Sequence, residues 1–154
     1  MEVKELGHLV LYVRNLERSV HFYRDVLGWH EIELGERTIL PVPIALFSSP
    51  AQRTHHELLL IEVGADAAAP PAGRRTGLYH FGLKVGDSDE ELREALARLD
   101  EAGVPIRGAS DHVVTHSLYV EDPDGNEVEL YIDVPGVDWR TDPALLVAPP
   151  KPLW

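Results

Sequence analysis

The 154-residue chain contains no cysteine, which removes disulfides, thiolate metal sites and cysteine nucleophiles together. Any metal it holds must bind through His, Asp or Glu. It also lacks a basic cluster: 14 Lys and Arg stand against 26 Asp and Glu, for a net charge of -12 and a pI near 5.0. That charge repels a phosphate backbone, so nucleic acid is not an expected partner. No stretch approaches the roughly 20 apolar residues that cross a bilayer. The opening "MEVKELGHLV" has no basic segment leading into a long apolar one; a cytoplasmic address and no membrane partner are expected. What remains, 44% hydrophobic and 26% charged residues, is the composition of one globular domain long enough to bury a core.

Along the chain, period-2 and period-3.6 segments alternate in a repeated order. "LGHLVLYV" (6–13) reads as a strand and "NLERSVHFYRDVLG" (15–28) as an amphipathic helix. Asn15 is its N-cap, Leu16, Val20, Tyr23 and Leu27 share one face, and Gly28 closes it. Strand-like runs follow at about 29–34, 37–47 and 55–63. The small, Pro-rich "GADAAAPPAGRRTG" (64–77) reads as a connection. The order then repeats: the strand "LYHFGLKV", a helix in "SDEELREALARLDEAG" with Ser88 as N-cap and Glu91 completing a capping box, and strands near 104–110, 116–121 and 127–132.

"HLVLYV" and "HFGLKV" share the pattern H-x-x-L-x-V, and the helices after them end at Gly28 and Gly103. Two βαβββ modules are the simplest account. The expected fold class is α+β, with both modules forming one cupped mixed sheet around a metal site. The single domain spans 1–133, its modules about 1–63 and 78–133, joined by 64–77. Glu57 follows His8 by 49 positions and Glu129 follows His80 by the same 49, so a site of three or four ligands can be built from two copies of one idea.

"GHLVLYVRNLERSVHFYRDVLGW", "GLYHFGLKV" and "SLYVEDPDGNEVELY" together resemble the vicinal oxygen chelate superfamily, which includes glyoxalase I, bleomycin-resistance proteins and extradiol dioxygenases; the match covers most of residues 5–139. With "HHELLL" and "GASDHVV" added, the chain is most similar to extradiol catechol 2,3-dioxygenases. The resemblance implies metal ligands His8, His80 and Glu129. Two neutral imidazoles and a carboxylate leave open positions on Fe(II), with Mn(II), Zn(II) or Ni(II) as alternatives, for a chelating diolate and dioxygen. It implies three catalytic residues beside the metal: His56 moving a proton, and Tyr119 and His112 bonding the diolate oxygens. It also implies an aromatic diol and dioxygen as small-molecule partners, and a homodimer is expected.

Each residue has a plainer reading. His8 or His80 alone is a capped strand-end histidine, Glu129 a solvated residue after the turn, Tyr119 a core tyrosine and His112 a loop residue. The metal reading gains from the repeat, which places the two histidines alike. "EDPDGNE" offers Asp122, Asp124, Asn126 and Glu127 as oxygen ligands, but Pro123 and Gly125 between two strand signals make it a hairpin turn and not a calcium loop. His21 reads as a surface residue, Trp29 as a packing one, and His116 has no assigned role.

In "RTHHELLLIEV" (53–63), strand alternation turns either His56 or Glu57 toward the site. Glu57 inward gives the fourth ligand of a glyoxalase-like isomerase or lyase. His56 inward gives a dioxygenase, and is preferred because Leu58 and Leu60 then share its face and because Tyr119 and His112 have no evident job in a four-ligand site. Phe47, Leu60 and Phe81 are expected at the pocket. A metal-free small-molecule binding protein of the same fold has no use for the His/His/Glu set. Many extradiol enzymes contain two paired domains where this chain has one pair, which leaves part of the pocket to a partner subunit or to the tail, 134–154. That tail is Pro-rich yet too apolar for a free linker, and is expected to pack on its own domain or on a partner subunit.

Overall fold

The computed structural model describes residues 1–35 and 41–153. Part of the strand expected over 37–47 therefore lies outside the described residues. Contacts divide the chain into two units, Met1–Ala69 and Pro70–Trp154.

The first unit runs β1 (Leu9–Val13), α1 (Leu16–Val20) continuing into a π-helical segment (His21–Val26), β2 (His30–Glu31), β3 (Ile44–Ser48) and β4 (Leu58–Glu62). Its sheet has the order β1-β4-β3-β2, with β1 and β4 parallel and the other pairs antiparallel. Asn15 caps α1 through Oδ1, which accepts from the Arg18 backbone N–H at 2.8 Å, and Glu62 accepts from the Leu16 N–H at 2.7 Å. The helix differs from the expected regular one. Leu27 N–H bonds Phe22 C=O, a five-residue step that shifts the phase of the buried stripe. Leu16, Val20 and Tyr23 are buried as expected, but Phe22 and Val26 join them in place of Leu27. Trp29 packs on Tyr23 and Phe47.

The second unit runs β5 (His80–Gly86), α2 (Asp89–Glu101), β6 (Gly108–Asp111), β7 (Thr115–Glu121), β8 (Glu127–Asp133), a 3₁₀ turn (Pro143–Val147) and β9 (Lys151–Pro152). Its sheet has the order β5-β8-β7-β6-β9, with β5 and β8 parallel. Ser88 and Glu91 form the capping box: Ser88 Oγ accepts from Glu91 N–H at 3.3 Å, and Glu91 Oε2 accepts from Ser88 Oγ–H and Asp87 N–H at 2.8 Å each. Along β8, Val128, Leu130 and Ile132 are buried, and alternate residues take the other face. With Leu92, Leu99, Leu118 and Val120 they form this unit's core, each full burial contributing about 1.5–3 kcal/mol.

Each unit is thus a βαβββ module and the chain is α+β. Among the described residues the strands hydrogen-bond as two sheets, of four and five strands, where the sequence suggested one continuous sheet. The reason lies in the pairing: the first strand of each module closes on the last strand of the same module, β1 on β4 and β5 on β8. The tail returns to the second sheet, where Lys151 and Pro152 pair with Asp111 and Ser110 at the edge of β6. No helix among the described residues is long and apolar enough to cross a membrane.

Candidate metal centre

On β5, β7 and β8 the register brings four polar side chains to one face. Gly82 and Tyr119 both lie opposite Glu129, and His80 lies opposite Glu127. His80 Nε2 stands 3.3 Å from Glu129 Oε2. Tyr119 OH donates to Glu129 Oε1 at 2.9 Å. That uses its one proton, so His112 Nε2, 2.8 Å away, donates to the phenol oxygen. His112 follows β6 in the tight turn to β7, its N–H bonded to Thr115 C=O. Val113 beside it has φ +71°, a left-handed conformation costly for a β-branched residue; Asp111 Oδ1 accepts its N–H at 2.6 Å and helps to hold the turn. Burial, and then the Glu129 carboxylate, push the Tyr119 phenol well above its ordinary range, so it stays a proton donor.

A Cβ at Gly82 would lie 3.5 Å from Glu129 Oε2, an ordinary contact, and 3.2 Å from Tyr131 Cε1, so that the Tyr131 ring would have to give by a few tenths of an ångström.

His8, immediately before β1, belongs to an imidazole cluster in the first unit. Its ring centroid lies 4.7 Å from that of His56 and 5.8 Å from that of His55, and the Nδ1 atoms of His55 and His56 are 2.6 Å apart. Burial, and then the neighbouring His55 and His8, lower the pKa of His56 below its ordinary 6.5, which keeps that ring neutral. Beside His55 opens a cleft of about 920 Å³ lined by His30, Ile32, Glu33, Ser48, Gln52, Arg53, Thr54 and His55.

The alternation argument for residues 55–57 does not hold, because β4 begins only at Leu58. His55 and His56 both meet His8, and the Glu57 carboxylate is engaged elsewhere: Oε2 accepts from Ser49 N–H and Oε1 from Ser49 Oγ–H, each at 2.7 Å. The expected pocket-lining residues are also corrected. Phe47, Leu58 and Leu60 are fully buried in the core. Phe81 lies opposite Val128 on the face away from His80 and Glu129. Phe81, next to His80 on β5, follows the pleat to the opposite face.

The remaining polar residues have local tasks. Asp122 Oδ1 accepts from the N–H groups of Asp124 and Asn126, and Oδ2 from Asn126 Nδ2, so "EDPDGNE" is a side-chain-capped turn in which Gly125 takes φ +88°. His116 pairs through Nδ1 with Asp89 Oδ1 at 2.5 Å. His21 is exposed and bonded to Asp25. Sequence reasoning gave no role to Glu127, Tyr79, Ser49 or His55. For Glu127 a signal existed, since the period of two in "NEVELY" puts it on the face of Glu129.

The donor set of the second unit fits a divalent cation. Two ligand atoms at about 2.0–2.2 Å from one ion and about 90° apart lie about 3 Å from each other, close to the 3.3 Å between His80 Nε2 and Glu129 Oε2. Among the described residues no group of three His, Asp or Glu side chains is already gathered as a cage.

The chain is similar in sequence and fold to several known proteins. Catechol-2,3-dioxygenase of Bacillus subtilis (strain 168) is 38% identical over 141 residues, which are 92% of this chain and 46% of that protein. Biphenyl-2,3-diol 1,2-dioxygenase 3 of Rhodococcus globerulus is 31% identical over 131 residues, 83% of this chain and 63% of that protein. The chain therefore spans about half to two thirds of the length of these relatives. The solved structure of a glyoxylase/bleomycin resistance protein/dioxygenase domain from Frankia sp. EAN1pec shares the fold, with a TM-score of 0.69 over 86% of this chain and 99% of that one at 22% identity. Residues 5–130 match one family model over most of the chain. The chain belongs to the Glyoxalase/Bleomycin resistance protein/Dioxygenase superfamily.

Proposed function

We propose that the protein is a metal-dependent extradiol dioxygenase that opens an aromatic ring beside two vicinal hydroxyls, with dioxygen as co-substrate. The observation that carries this reading is the shared Glu129 carboxylate, with His80 Nε2 on one oxygen and the Tyr119 phenol on the other. It combines a pair of metal donors with a proton donor placed for a substrate oxygen. The sequence relatives named as catechol and biphenyl-diol dioxygenases support the substrate class.

The proposed ligands are His80 and Glu129 of the second unit and His8 of the first, with Fe(II) the first choice of metal and Mn(II) the next. Such an ion supplies open positions for a chelating diol and for dioxygen. The chain's own residues do the rest. Tyr119, kept protonated, donates to a diolate oxygen, and His112 backs the phenol through its Nε2–H. His56, kept neutral by burial and by the neighbouring imidazoles, accepts the proton of a substrate hydroxyl at a ring nitrogen. The proposed setting is a cytoplasmic homodimer.

The glyoxalase-like alternative needs Glu57 as a fourth ligand, and the two hydrogen bonds from Ser49 to that carboxylate weigh against it. Anaerobic reconstitution with Fe(II), Mn(II), Zn(II) and Ni(II), followed by parallel assays of catechol ring opening and glyoxalase turnover, tests the choice. Ring opening with Fe(II) or Mn(II) is the expected result. Glyoxalase turnover with Zn(II) or Ni(II) and no ring opening would reverse it.

A further inference from the structure

A second carboxylate, Glu127, shares the face of His80 and Glu129, and the proposed chemistry gives it no task. Because β5 and β8 run parallel in register, with His80 opposite Glu127 and Gly82 opposite Glu129, the His80 imidazole lies between the two carboxylates. Its Nε2 is 3.3 Å from Glu129 Oε2 and its Nδ1 is 3.2 Å from Glu127 Oε1. Both His80 Nδ1 and Glu127 Oε1 are shut off from solvent and have no hydrogen-bond partner of good geometry among the described residues. Each is the other's near neighbour, and closing that contact satisfies both. The Tyr79 ring lies 4.6 Å from the His80 ring, centroid to centroid.

We propose that Glu127 is a positioning residue that takes the Nδ1 edge of His80 and so presents Nε2, lone pair free, to a divalent cation shared with Glu129. This inference rests on the reading of His80 and Glu129 as metal ligands. A neutral imidazole carries one proton, and the ring nitrogen without it is the donor to metal. A carboxylate at Nδ1 draws the proton there, fixes the ring's rotation and strengthens Nε2 as a ligand. Glu127 is not an alternative ligand for the same ion, because it faces the ring nitrogen on the other side from Glu129. Without it the proton is free to move to Nε2, where it blocks coordination.

Cobalt(II) titration of the full chain, followed by the visible absorption of the bound ion, tests this independently of turnover. Four proteins are compared: wild type, Glu129→Ala, Glu127→Ala and Glu127→Gln, each checked by circular dichroism for an intact fold. Wild type takes up cobalt and Glu129→Ala does not. Glu127→Ala binds roughly 10–100-fold more weakly than wild type, the usual loss for a partner behind a metal-binding histidine. Glu127→Gln, whose amide oxygen still accepts from Nδ1–H, recovers most of that loss. Wild-type affinity in Glu127→Ala, with Glu129→Ala still unable to bind, overturns the positioning role and leaves the ligand reading standing. A glutamine variant as weak as the alanine one also overturns it. A wild-type chain that takes up no cobalt overturns both.

Discussion

Tyr119 donates its phenolic proton to Glu129 Oε1 across 2.9 Å, while His112 Nε2 lies 2.8 Å from the same phenol oxygen. A loop imidazole, a phenol and a carboxylate from neighbouring strands are thus linked in series, and His80 continues the series at the other oxygen of Glu129. Loss of the phenol leaves both proposed metal donors, His80 and Glu129, in place.

Tyr119→Phe should therefore retain metal and lose turnover. Removing one charge-assisted hydrogen bond costs about 1.5–3 kcal/mol, which corresponds to roughly a tenfold to hundredfold fall in kcat. Metal analysis and steady-state kinetics on the same preparation check this; loss of the metal itself would assign Tyr119 to holding Glu129 in place.

The two neighbours just before β4 should separate cleanly. His56→Gln is expected to keep metal and lower turnover by about 10²–10⁴, the usual contribution of a proton-transferring side chain. Glu57→Gln should leave metal and turnover unchanged but weaken the Ser49 contacts, lowering stability by roughly 1–2 kcal/mol. Urea unfolding and kinetics on both variants are the measurements. Metal loss in Glu57→Gln would instead favour a four-ligand centre.

The depressed pKa of His56 sets a direction for stability against pH. The unfolded chain binds a proton at this ring near the ordinary 6.5, and the folded chain only at lower pH. The unfolded state therefore holds more protons in that window, and stability falls as pH drops below about 6.5 toward the folded value. Thermal midpoints of the metal-free chain at pH 7.5 and 5.5 should show the loss, and His56→Gln should reduce it. A pH dependence identical in the two proteins contradicts the assignment.

The caps and the module order were legible in the sequence because they are local. Ser88 and Glu91 lie three positions apart, and Asn15 precedes its helix, so short-range rules reach them. The grouping of His112, Tyr119 and Glu129 at one site was legible only through resemblance, and their bonds to one another were not legible, since they join β7, β8 and the turn after β6. The facing of residues 55–57 was not legible: alternation is a property of strands, and the strand starts at Leu58. The π-helical step after Val20 was equally hidden, as no proline or glycine marks it, and it moved burial from Leu27 to Phe22 and Val26. The pair His80 and Glu127 depends on the register of β5 against β8, which no count along one strand supplies.

The central claim is that His8, His80 and Glu129 hold one divalent metal, and the most direct test is the metal content of His8→Ala, His80→Ala and Glu129→Ala after identical anaerobic loading with Fe(II). Losing one of three ligands weakens a site far more than it weakens the fold around it. Each variant is expected to remain folded and to retain almost no iron while the wild-type chain binds one equivalent. Unchanged iron content in all three variants would contradict the account.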